Sequence, residues 1–272
     1  MLKLILLGIL SGGFFSTTFI LNEAMSIEGG NWVWSASLRY FFMILFLTLI
    51  TVFNGGIRQL RDLLKLFRAH WVFWTMAGTI GFGGFYALIC FSADFSPGWV
   101  IAATWQFTLV ASLFVLMFFG RTFPRRIWFF SILIFCGVML VNVSHIDEFS
   151  INTLILGGLP VLFAAFYYPS GNQLVWEARH GSHKKLPAIH SPLLNNAFNK
   201  VLLMSLGSLP LWIVLLIFTR PAAPQDSQLF NTALVALFSG VFATSIFLHA
   251  RNRARTPNEL AGVDATQSSE VI

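Results

Sequence analysis

LILLGILSGGFFSTTFILNE (residues 4–23) and LILGGLPVLFAAFYYPSGNQ (154–173) align without a gap at an offset of 150. Leu4, Ile5, Leu6 and Gly8 recur as Leu154, Ile155, Leu156 and Gly158. Asn22 recurs as Asn172, and Glu23 stands opposite Gln173. Apolar segments resemble one another by composition, so the match needs a second one. SPGWVIAATWQF (96–107) has the same shape as TPNELAGVDATQS (256–268) with one residue inserted, Pro97 falling opposite Pro257 and Gln106 opposite Gln267.

Around these stretches the chain reads as a series of membrane crossings. A helix needs roughly 20 apolar residues to cross a ~30 Å core. The segments 3–24, 33–53, 71–92, 98–119, 127–144, 153–176, 197–218 and 229–249 qualify, and a ninth begins near Pro257. The sixth segment thus repeats the first, and the ninth repeats the fourth. The unit is five helices, and an odd number inserts the second copy upside down. The expected fold is an all-α polytopic membrane protein on a ten-helix plan. Its two inverted five-helix repeats are 1–149 and 150–272, with the substrate site near the midplane where they meet. From Pro257 to Ile272 is roughly 23 Å of helix at ~1.5 Å per residue, short of a full crossing. The expectation is a second repeat truncated within helix 9.

Composition agrees. Apolar residues make up 56% of the chain and charged residues 10%, where a soluble domain carries about a quarter charged. The formal charge of +6 does not form one patch, which argues against nucleic acid as a partner. Arg58, Arg61, Lys65 and Arg68 lie in an expected loop 54–70. Arg121, Arg125 and Arg126, then Arg179, Lys184 and Lys185, then Arg251, Arg253 and Arg255 follow in every second connection. The alternate connections hold Glu28, Asp94, Asp147, Glu148 and Asp226 against Arg220. The positive-inside rule puts the N-terminus in the cytoplasm. Lys3 alone, with no small-residue cleavage pattern after the first run, favours a crossing over a signal peptide. Cys90 and Cys136 sit in apolar runs and read as reduced, buried small residues.

At GGFFSTTFILNEAMS, GNWVWSASLRYFFM, GFGGFYALICFSADFSPGWVIAATWQ, LVALFSGVFAT and NELAGVDATQSSEV the chain resembles the drug/metabolite transporter superfamily. Within it, the multidrug resistance efflux transporter family is the most similar. The resemblance covers the whole chain and implies a ten-helix exporter of a bacterial-type inner membrane. Arg39 in SLRYFF resembles the Arg near the start of helix 2 across the superfamily. Its small drug exporters use a helix-1 Glu, which lies deeper than Glu23 does here.

Several residues are candidates for chemistry. Gln106 and Gln267 lie near the midplane at symmetry-related places, where an amide needs another helix, water or a substrate as partner. Asn22 and Asn172, matched in the repeat, join them as candidate substrate ligands, as do Tyr86 and Trp105 through their ring faces. Asp264 and Glu270 are six residues apart and do not share one stripe of a helix. Ionisable groups at such depth are rare and usually functional. Glu270, the deeper, is the first choice for coupling to protons, with Asp264 and Glu23 as the other candidates. Glu23 and Arg39 lie at similar depths, which suggests an ion pair closing the outer vestibule. Pro160 and Pro169 interrupt helix 6 and free backbone carbonyls, either as a simple kink or as a gating element. The stripes Gly8/Gly12/Ser16 and Thr79/Gly83/Ala87 mark close helix packing. His180 and His183 read as solvated loop residues, not metal ligands.

Walker, nucleophile-elbow and HExxH patterns are not found. The leading reading is therefore a secondary transporter that exports small organic molecules or drugs by ion-coupled alternating access. It is not read as an enzyme, and neither cofactor nor metal is expected. The partners are a small-molecule substrate and the lipid bilayer, with a homodimer left open. The alternatives are a non-transporting membrane scaffold or subunit, and a membrane-embedded lipid-modifying enzyme.

Overall fold

The computed structural model describes residues 2–143 and 153–271, and among them the fold is helical throughout. Nine principal helices follow in chain order: α1 (Leu2–Ile27), α2 (Trp32–Ala69), α3 (Trp71–Ala93), α4 (Gly98–Phe118), α5 (Arg125–Val143), α6 (Leu159–His180), α7 (Ala197–Thr219), α8 (Asp226–Arg253) and α9 (Pro257–Ala265). A π turn, Thr153–Gly158, leads into α6, and a 3-10 turn, Thr266–Val271, continues α9. Six of these helices, α1 to α4, α7 and α8, are long and apolar enough to cross a membrane. This is the architecture of a multi-pass membrane protein. Asp147 and Glu148, expected between α5 and α6, lie outside the described residues.

The helix ends follow from local chemistry. Asn31 and Asn196 each accept a hydrogen bond from the backbone two residues on, capping α2 and α7. Thr256 Oγ1 accepts from Glu259 N while the Glu259 carboxylate accepts from Arg255 N, which fixes the start of α9. Gly181, at φ 61°, closes α6.

One expectation is corrected. Residues 54–70 are not a loop. Gly56, at φ 71° and ψ 178°, breaks the helix, and a second helical stretch of α2 follows it to Ala69. Leu60, Leu63, Leu66 and Phe67 recur at helical spacing and pack on the core, while Arg58, Arg61, Lys65 and Arg68 face outward. The reading as a loop counted charges and overlooked this 3.6-residue period. Cys136 is also exposed, not buried, on a helix face that a bilayer would cover.

The core is built from a few close approaches. α1 packs on α8 and α9, α6 on α3 and α4, α2 on α7 and α8, and α7 on α2 and α3. A Cβ on Gly8 would overlap Thr266, and one on Gly12 would overlap Ser269, so α1 and α9 meet because both positions lack side chains. Besides the break at Gly56 in α2, four helices depart from α geometry along their length. α1 kinks at Ser16 and α4 at Gln106–Phe107, while π turns interrupt α3 at Thr79–Gly84 and α8 at Ala236–Ala243.

Candidate functional site

These irregular stretches surround a narrow cavity of about 20 Å³. A π turn leaves carbonyls misaligned with the α-helical ladder and free for other donors. In α3, Phe82 O accepts from Tyr40 Oη at 2.9 Å. In α8, Ser239 O accepts from Thr244 Oγ1 at 3.0 Å, and the Ser239 side chain faces the cavity. Pro169 has no N–H, so Ala165 O loses its helical donor, and Thr108 on α4 supplies one at 3.2 Å.

The cavity contains one cation and one carboxylate. Arg39 is 3% exposed. Its Nη2 donates to Ser239 Oγ at 2.9 Å, which also accepts from Thr18 Oγ1 at 2.6 Å. Its guanidinium carbon lies 3.9 Å from the Tyr86 ring centroid, and Nε and Nη1 have no hydrogen-bond partner among the described residues. Glu270 enters from the 3-10 turn after α9 and accepts a hydrogen bond from Trp105. Aromatic rings form the wall between them. Phe85 lies 5.0 Å from Trp105 and 4.9 Å from Tyr168 between ring centroids, and Phe15 meets Tyr168 edge-on at 6.4 Å. The site thus brings ring faces and opposed charges together around one narrow void.

The expected site residues are divided by this geometry. Trp105 and Glu270 line the cavity together with Arg39. Tyr86 stands behind Arg39 and donates to Asn22 Oδ1 at 3.1 Å, so both support the site from outside its wall. Gln106 and Gln267 are buried where α4 and α9 leave α geometry, but neither lines the cavity. Gln106 Nε2 turns back to Ala102 O at 3.2 Å. Asn172 is buried in a different cavity. The ion pair expected between Glu23 and Arg39 is not formed. Arg39 turns inward to Ser239, and Glu23 lies half-buried beside Gly98. Pro160 sits in the first turn of α6 and does not interrupt it, whereas Pro169 lies inside the helix.

Asp264 also lies apart from Glu270. It pairs with Arg251 at 2.7 Å. Arg251 Nη2 reaches Gln173 Oε1 at 3.0 Å, Gln173 Nε2 reaches Glu177 Oε1 at 2.8 Å, and Arg121 meets the same carboxylate at 3.0 Å. This largely buried relay ties the connection after α4 to α6, α8 and α9.

Thr18, Phe85, Tyr168 and Ser239 are cavity residues that the sequence reading did not select. A signal for one pair was present, because Thr18 and Tyr168 are equivalent at the offset of 150.

Residues 2–272 match the model of the EmrE family, described as "Putative multidrug resistance efflux transporter". The chain is also similar to "Uncharacterized protein YjlA" of Bacillus subtilis (strain 168), at 37% identity over all of this chain and 84% of that protein. A second relative, "Uncharacterized 42.1 kDa protein in intracellular alkaline protease 3'region" of Shouchella clausii, is 36% identical over 99% of this chain and 70% of its own length.

Proposed function

The chain belongs to the EmrE family of multidrug resistance efflux transporters, and from that premise we propose that it is a secondary transporter exporting small aromatic or cationic organic molecules by ion-coupled alternating access. The observation that carries this reading is the pairing of Glu270 with Trp105 in an aromatic-walled cavity that also holds Arg39. A carboxylate there binds either a proton or a cationic substrate, so that one is released as the other arrives. Arg39 keeps the site near neutrality in a low-dielectric setting.

Two five-helix repeats, 1–149 and 150–272, would rock about this cavity. The packing supports that division. α1 meets α8 and α9 as α6 meets α3 and α4, and α2 meets α8 as α7 meets α3. The π turns fall in α3 and α8, Gln106 lies at a break within α4, and Gln267 lies in the 3-10 turn that continues α9. Each pair is separated by five helices. The clustering of Arg and Lys in alternate connections supports a cytoplasmic N-terminus in an inner membrane.

The test is flux of a panel of small aromatic cations and neutral amphiphiles in proteoliposomes under an imposed pH gradient. Glu270→Gln keeps an acceptor for Trp105 and removes the charge. The expected result is gradient-driven flux in the wild type and a loss of about a hundredfold in the variant. Wild-type liposomes no faster than protein-free ones across the panel would sink the reading.

A further inference from the structure

A crevice of about 550 Å³ opens on the surface at the end of the bundle where α1 and α7 begin and α8 ends. It shares no lining residue with the central cavity. α1 and α7 both pack on the last turns of α8, and the crevice is the gap left between them. Its volume is that of a site for an organic ligand.

The walls grade from apolar to cationic. Leu7 of α1, Phe198 of α7 and Ile246 of α8 supply the apolar surface. Ser245 and His249 line the same face of α8, one turn apart. Ser245 is 3% exposed, and its Oγ has no hydrogen-bond partner among the described residues. At the same four-residue spacing α8 ends on Arg253, and α1 carries Lys3 one turn before Leu7; both cations are exposed. Arg253, Lys200 and Lys3 are the charges that act on His249, all of one sign. Neither Lys3 nor Arg253 has an ion pair among the described residues. The acids at this end are engaged elsewhere, Glu177 with Arg121, Asp264 with Arg251 and Glu259 with the Arg255 backbone. An apolar trough that ends in unpaired cations matches a molecule with a hydrocarbon part and an anionic head. Where a helix bundle meets the membrane surface, that molecule is a phospholipid with a net negative headgroup. Its phosphate suits Lys3 and Arg253, and its glycerol ester oxygens are acceptors of the kind the Ser245 hydroxyl lacks.

We propose that this crevice binds one anionic phospholipid, its headgroup held by Lys3, His249 and Arg253 and an acyl chain lying on Leu7, Phe198 and Ile246. The proposal does not depend on transport, and its failure leaves the central cavity's role untouched.

The full chain in detergent is titrated with an equimolar mixture of phosphatidylglycerol and phosphatidylcholine of matched chains, and bound lipid is read by native mass spectrometry. The expected result is one tightly retained phosphatidylglycerol, preferred over phosphatidylcholine by at least about tenfold. Lys3→Gln and Arg253→Gln each lower that preference about fivefold, and together they bring the two lipids to near parity. Both residues are exposed, so the folded yield should hold. Arg125→Gln with Arg126→Gln removes two exposed cations that do not line the crevice and should leave the preference unchanged. Ile246→Trp fills the trough without altering charge and should weaken retention of either lipid. Equal retention of the two lipids by the wild type would overturn the proposal, as would a preference that survives the Lys3 and Arg253 changes or falls equally with Arg125 and Arg126.

Discussion

Arg39 lies over Tyr86, its guanidinium carbon 3.9 Å from the ring centroid, while its Nη2 donates to Ser239 in the cavity wall. The planar fork serves both contacts at once, and a lysine ammonium does not reproduce that geometry. Arg39→Lys keeps the charge, so it isolates the geometry. The expected outcome is flux reduced on the order of tenfold with folded yield retained, measured by proteoliposome uptake beside size-exclusion profiles. Flux at the wild-type rate would show that stacking on Tyr86 is only structural.

The Arg251–Asp264 pair is buried on both sides. Removing one partner strands the other charge, at a cost of about 3–5 kcal/mol, whereas replacing both with apolar residues is far milder. Asp264→Leu alone and Arg251→Met alone should each lower thermal stability sharply. The double variant should recover most of the loss. A double variant that falls by the sum of the singles would show that other contacts of the two residues, Arg251 with Gln173 among them, carry the stability.

Gly8 and Gly12 let α1 lie against Thr266 and Ser269. Gly8→Leu forces a side chain into the α1–α9 contact, and overpacking of this kind costs about 1–3 kcal/mol. The end of α9 carries Glu270, so the variant should lose substrate affinity together with stability. Gly13 meets no such neighbour, and Gly13→Leu should be tolerated in the same assay.

Asp94 ends α3 outside the membrane-spanning stretch and accepts from Ser26 Oγ at 3.1 Å. Partial burial pushes its carboxyl above the ordinary range, against a smaller lowering by that hydrogen bond. A raised folded pKa contributes stability below the unfolded value and loses it as pH rises through the folded one. Asp94→Asn should therefore flatten the fall in thermal stability between acid and neutral pH. An unchanged slope would exclude Asp94 as a contributor.

How far the sequence could be read depended on the kind of signal. Six of the expected crossings were legible because each is a long apolar run, whereas the helices at 127–144 and 153–176 are not among those long and apolar enough to cross. Glu270 was legible because charge at that depth is rare, and Arg39 was legible through its resemblance to the superfamily's helix-2 Arg. The extension of α2 past Gly56 was hidden, since its charged face outweighs the apolar one unless the helical period is followed. The partner of Arg39 was hidden for a different reason. Depth along α1 and α2 pointed to Glu23, but the direction of a side chain around its helix depends on packing with α8, 200 residues away in sequence. Phe85 and Tyr168 were hidden among 30 Phe and 4 Tyr, where composition singles out none.

The π turn in α8 also sets the helix's phase. Twelve residues separate Ser239 from Arg251, and an unbroken α-helix would place them about 120° apart around the axis. Absorbing one residue in the wider turn reduces that to about 20°. A single rod can therefore present Ser239 to the central cavity and Arg251 to the buried relay on nearly one face. Deleting one residue between Ser239 and Ala243 would return the rod to regular pitch and rotate everything beyond it, taking Phe247 and Arg251 away from the partners they now meet.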